Sequence, residues 1–343
     1  MAGQSSWWRM AGAFVVSLAC LLPCGSTLSR PDTADTVPAQ VRTAAVAGTW
    51  YPADREQLET LLDRLLGAVP AAADAPTADR IRAIISPHAG YRYSGATAAA
   101  GYARLAGRQV DRVIVIGPAH HYDFAVISLP AVDAYETPLC RIPLDTQAIE
   151  DLRQSPLVKS VAAAHTREHS IEMQLPFLQQ VLQPGWQLVP VLVGRLAGED
   201  YRHAAALLTP LADATTLLVV SSDFTHYGRR FGFQPFPPDA RVRERIEQLD
   251  MGMYAHIAAR DAAGLVRLRE ASGQTVCGYR AIAVLLEMLP ASATSYLAKY
   301  TTSGALAGNY LESVSYLSIL IAADKSLADA AASSNKGNGL PPD

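Results

Sequence analysis

The chain has 343 residues, half of them apolar, so it can bury a large core without a framework of disulfides. Charged residues make up 18%, and 29 Lys plus Arg stand against 32 Asp plus Glu, with no long run of either sign. That near balance argues against nucleic acid as a partner, and the length allows one or two domains.

The first thirty residues differ from the rest. Arg9 and the free amine give a short positive region, and residues 11–23 are almost uninterruptedly apolar. A transmembrane helix needs about 20 apolar residues, whereas the core of an export leader needs about 7 to 15. Residues 1–26 therefore read as a signal peptide cut near Ser26, and the protein as exported, periplasmic or extracellular, with no transmembrane domain. A mis-assigned start would instead leave it cytoplasmic. Cys20 and Cys24 raise a lipid anchor, although Ser17 and Pro23 fit poorly before an acylated cysteine. Without the leader only Cys140 and Cys277 remain, and in an oxidising compartment a bond between them is the bland fate of both.

Residues 27–40, rich in Ser, Thr, Asp and Pro, read as a flexible spacer. Beyond them, helical spacing at 55–66 leads into an apolar β-branched run at 81–86. Helical spacing returns at 95–105, followed by a strand pattern at 113–116 and a weaker one at 125–129. Helices are expected at 146–154 and 171–182, a strand at 188–193, a helix at 201–211 and a strand at 217–221. An apolar helix carries Ile282, Leu285, Leu286 and Met288, and 314–320 reads as a further strand. The interior runs are apolar on both faces, as strands covered on each side must be. The alternation predicts a single three-layer α/β domain over 41–322, its central sheet mixed or parallel, with helices on both faces. The tail, 323–343, is Ala, Ser, Asn, Gly and Pro and is expected to be disordered.

Three interior strands run directly into histidine loops: Ser86-Pro87-His88-Ala89-Gly90-Tyr91, Gly117-Pro118-Ala119-His120-His121, and Ser222-Asp223-Phe224-Thr225-His226. Strand carboxyl ends are where open α/β sheets bind and react. One such histidine is ordinarily a structural residue, but the joint pattern points to a metal or acid–base site. In Glu168-His169-Ser170-Ile171-Glu172, His169 and Glu172 are three apart and would share a helix face, fit for joint ligation or for a carboxylate orienting an imidazole. The competing reading is that acids near a helix start answer the macrodipole. Cys277 precedes a helix, where the dipole favours a thiolate, but it also suits a buried apolar position or the disulfide to Cys140.

Taken in order, Val46-Ala47-Gly48-Thr49-Trp50-Tyr51-Pro52, the PHAGY and GPAHH loops, Glu168-His169-Ser170-Ile171-Glu172, Ser221-Ser222-Asp223-Phe224-Thr225-His226 and Cys277-Gly278 resemble the Memo family, also called AmmeMemoRadiSam system protein B. The resemblance implies a fold similar to the class III extradiol dioxygenases and metal ligands at His88, His120 and Cys277. It places Asp223 and His226 beside the metal as acid–base or substrate-orienting groups. His121 is a third catalytic candidate, and the spacing of His169 and Glu172 puts them at the cofactor pocket, His169 lining it and Glu172 behind. Iron is the expected metal, with copper or zinc as alternatives, because a thiolate is a softer third ligand than the carboxylate of ring-cleaving enzymes. The expected function is metal binding with redox or dioxygenase-like activity on a small molecule. Two other readings stay open: a hydrolase with Cys277 as nucleophile, His226 as base and Asp223 as orienting group, or a non-catalytic module for a ligand or peptide. Cys140, where relatives usually carry glycine, and the leader both depart from the family. Export would also separate this chain from the radical-SAM partner that the family name implies.

Overall fold

The computed structural model describes residues 40–337, the side chains of 334–337 excepted. The expected signal peptide at 1–26, nearly all of the expected spacer at 27–40 and residues 338–343 lie outside the described residues.

In chain order the strands are β1 (Val41–Arg42), β2 (Ile81–Ser86), β3 (Arg112–Pro118), β4 (Ile127–Ser128), β5 (Ala134–Glu136), β6 (Arg141–Pro143), β7 (Val158–Lys159), β8 (Gln187–Val193), β9 (Thr216–Ser221), β10 (His226–Tyr227), β11 (Thr294–Thr302) and β12 (Ser313–Ala322). The helices are α1 (Arg55–Gly67), α2 (Tyr91–Tyr102), α3 (Thr146–Arg153), α4 (Ala162–Thr166), α5 (Leu175–Val181), α6 (Asp200–Leu208), α7 (Val242–Ala259), α8 (Ala262–Ser272), α9 (Tyr279–Met288), α10 (Ser303–Ala307) and α11 (Leu327–Gly337).

Four strands in the order β2-β9-β3-β8 run parallel through the centre of the main sheet. β12 lies antiparallel beside β2, and β10 and β11 pair antiparallel with β12. β4 joins β8 antiparallel and carries β7 outside it. The sheet is therefore mixed. β1, β5 and β6 form a small sheet of their own.

The central strands explain the layering. Val113, Ile114, Val115 and Ile116 are fully buried, as are Leu217, Val219 and Val220, so both faces of the sheet must be covered. α2 packs on β2, β11 and β12, with α1 and α5 against it. α9 packs on β3 and β9, with α6 and α8 against it. The result is the three-layer α/β domain expected from the alternation of patterns.

Several expectations are corrected. The predicted helix over 171–182 begins instead as a 3-10 turn at Glu172–Gln174 and continues as α5. Within the tail expected to be disordered, Leu327–Gly337 form α11, with Leu327 at 1% exposure, while 338–343 lie outside the described residues. α7, α8 and β11 were not anticipated. Among the described residues, no helix is long and apolar enough to cross a membrane.

Candidate metal centre

The topology gathers the loops. β9 lies between β2 and β3, all three parallel, so their carboxyl ends open side by side. His88, His120 and Asp223 each stand two residues beyond a strand end, at Ser86, Pro118 and Ser221 respectively. Cys277 joins them from the loop before α9. Close backbone approach makes this crowding feasible. A Cβ on Gly278 would stand 2.5 Å from Ser222 Cβ, and one on Gly117 2.7 Å from Ser170 Oγ.

His88, His120 and His169 each offer a ring nitrogen, and these three atoms lie within 4.8 Å of one another. This cluster could hold a metal ion. The His120 and His169 rings stack at 4.5 Å, and His88 stands edge-on to both. Cys277 carries a free thiol whose Sγ is 3.2 Å from His88 Nε2. The bland reading of a Cys140 to Cys277 disulfide does not hold, since Cys140 Sγ instead accepts from Gln179 Nε2 at 3.1 Å.

The hydrogen bonds decide which nitrogens face the centre. Ser221 Oγ donates to Ser170 O at 2.6 Å and accepts from Gln174 Nε2 at 2.8 Å. Having one proton, already given, the hydroxyl can only accept from His88 Nδ1 at 2.8 Å. The lone pair of His88 is thereby placed on Nε2. Glu168 does the same for His120: its Oε1 accepts from Nδ1 at 2.9 Å, and its Oε2 from the His120 backbone N–H at 2.6 Å. Glu168 Oε1 also accepts from the backbone of His169 and Ser170, both at 2.9 Å. Metal-bound imidazoles are held in this way, by a partner on the far nitrogen.

Electrostatics separates the three rings. Burial pulls His120 down, but its hydrogen bonds to Cys277 and Glu168 outweigh that and raise its pKa to about 10. Burial and the neighbouring imidazoles push His169 down to about 3 and His88 well below its ordinary value. Glu168 is held well below the carboxylate range, because the His120 bonds and charge overcome its burial. Burial pushes the Cys277 thiol and the Asp223 carboxyl up.

The other expected residues divide. Asp223 is buried at 4% exposure, and its Oδ1 accepts from the His88 backbone N–H at 2.9 Å. His226 Nδ1 faces two carbonyls, Phe224 O and Thr275 O, both at 2.8 Å, so it carries the proton and Nε2 is the basic atom. His121 lies 6.1 Å from the His169 ring, on the wall of an adjoining cavity. His169 sits within the cluster itself rather than merely lining it. Glu172, expected beside the cofactor, is turned away: it ion-pairs with Arg42 and accepts from Tyr51 OH at 2.6 Å and the Ala45 backbone at 2.7 Å. It anchors the segment that lays Trp50 on His169, ring centres 4.3 Å apart. Glu168 takes the orienting role that spacing had suggested for Glu172, because residues 167–171 are not helical. A carboxylate adjacent to His169 was the available signal.

Fold and site together define a three-layer α/β protein with a histidine-rich centre at the strand carboxyl ends. The model of the Memo-like protein family matches residues 42–320, and the chain belongs to that family. It is 36% identical over 252 residues to Protein MEMO1 of Xenopus tropicalis, covering 71% of this chain and 83% of the relative. Protein MEMO1 of Homo sapiens is 34% identical over 254 residues, covering 72% and 84%. A MEMO1 family protein of Methanopyrus kandleri is 30% identical over 292 residues, covering 81% and 98%.

Proposed function

We propose that this protein binds one iron or copper ion through Nε2 of His88, Nε2 of His120 and Sγ of Cys277, with His169 as a fourth donor, and uses it in redox or dioxygenase-like chemistry on a small molecule. The observation that carries the reading is the pair of imidazoles whose far nitrogens are fixed by Ser221 and Glu168, with the sulfur 3.2 Å from His88 Nε2. Imidazole and thiolate together suit iron(II), copper(I) or zinc better than a hard oxygen-seeking cation.

Bound there, the ion would contribute electron transfer and polarisation of a coordinated group. The chain's own residues do the rest. Asp223, whose carboxyl burial pushes above its ordinary value, stands beside the centre with Oδ1 on the His88 backbone N–H. His226 presents a basic Nε2 and His121 a further imidazole on the cavity wall. The competing hydrolase reading is disfavoured by the contacts of the sulfur, since the imidazoles against Cys277 are those of His88 and His120 and not that of His226. Export is proposed separately, from residues 1–26 alone, and the mass of the mature amino terminus tests it.

The test is elemental analysis of reduced protein and of His88→Ala, His120→Ala, His169→Ala and Cys277→Ser. About one ion per chain is expected, lost in the His88 and His120 variants and weakened in the other two. Unchanged metal content in all four would overturn the reading.

A further inference from the structure

A cavity of about 480 Å³ opens beside the centre and shares His120 and Cys277 with it. Its walls come from the loop after β3, the end of β8 and the first turn of α9. Its charges do not cancel. Asp123 and Arg195 neutralise each other across 2.8 Å at the rim, both largely exposed. His120 is matched by Glu168. That leaves Arg280, which enters no ion pair among the described residues.

Among the described residues, no acidic group compensates a cation at this helix start. α9 has neither an acidic residue in its first turn nor a capping side chain, and a positive charge at a helix start opposes the macrodipole. The Arg280 guanidinium lies over the Tyr279 ring at 4.8 Å, and Tyr201 is its hydrogen-bonding neighbour. Its Nε is buried without a partner. The residue as a whole is only half-buried and lines the cavity, and the paired N–H donors of a planar guanidinium match a carboxylate. The volume exceeds what an inorganic anion fills, and Val193, Ala281 and the half-exposed Tyr122 ring offer apolar wall.

We propose that this cavity binds a small organic carboxylic acid, its carboxylate on Arg280 and its body reaching toward His120 and Cys277. The inference rests on the metal reading of the adjacent centre, for which it names the substrate class. One unmatched positive side chain favours a monoanion over a phosphate.

Calorimetric titration tests it with benzoate, benzamide and phenylphosphonate as probes, on metal-loaded and metal-stripped full-length protein and on Arg280→Gln. Benzoate is expected to bind the wild type, benzamide and phenylphosphonate at least roughly tenfold more weakly, and Arg280→Gln to lose about that factor for benzoate alone while keeping its metal. Benzoate failing to bind at millimolar concentration, binding no better than benzamide, or binding Arg280→Gln as well as wild type would each overturn the proposal. Tighter phenylphosphonate binding would overturn the choice of carboxylate. A protein that binds benzoate through Arg280 but holds no metal would defeat only the metal reading, and one that holds metal but ignores benzoate would defeat only this one.

Discussion

Glu168 and His120 are joined twice, by the imidazole Nδ1 at 2.9 Å and by the backbone N–H at 2.6 Å, so one carboxylate fixes both the ring and the loop that carries it. Glu168→Gln keeps an acceptor but loses the charge and its command of the tautomer. Metal affinity measured by chelator competition is expected to fall roughly 10- to 100-fold. Affinity equal to wild type would show that the pair has no part in ligation.

Cys277 offers a chemical readout of the same site. Iodoacetamide should label it slowly in metal-loaded protein and faster after chelation, followed by mass spectrometry of the peptide. Equal rates in both states would remove the sulfur from the ligand set.

The Arg42 and Glu172 pair is buried, with side-chain exposures of 5% and 0%. Removing one partner leaves the other charge without compensation, which costs about 3–5 kcal/mol in such settings. Glu172→Ala is expected to lose that much stability in urea unfolding, and Arg42→Met with Glu172→Gln distinctly less. Equal losses in both would mean that the charge pairing is not what matters.

His165 supplies a pH dependence away from the ligands. Burial, then the Arg42 charge, lowers its pKa from 6.5 to about 4, and its ring meets Ser128 Oγ and Tyr135 OH. The unfolded chain therefore binds this proton more readily than the folded one. Stability is unaffected above pH 6.5, declines as the pH falls toward 4, and levels off below that, by at most ~1.4 kcal/mol per pH unit. His165→Gln should flatten the wild-type curve between pH 7 and 5, and parallel curves would contradict the assignment.

Much of this architecture was readable because the interior strands carry their own signal. Residues 81–86 are apolar on both faces and form β2 over just that stretch. α7 was hidden for a physical reason. Its buried positions include Val242, Ile246, Met253 and Ile257, but also Asp250, fully buried on Thr225 N–H and Tyr300 OH, so a charged residue interrupts the apolar stripe. β11 is mostly half-buried and carries Lys299, which blurs any alternation. Within the site, the positions of His88, His120 and Asp223 at strand ends were legible, whereas the segment around Cys277 left a ligand, a buried apolar residue and a disulfide all open. The division of labour between Glu168 and Glu172 was not, because it depends on Arg42, 130 residues from Glu172 in the chain.

The meeting of His88 and Cys277 spans 189 residues of sequence. Their contact cannot exist until α9 has settled across β3 and β9, so the centre is completed only after the early and late parts of the chain have found each other. An ion held there would act as a rivet between those parts, slowing their separation more than it alters the fold, and its occupancy would report whether α9 had arrived.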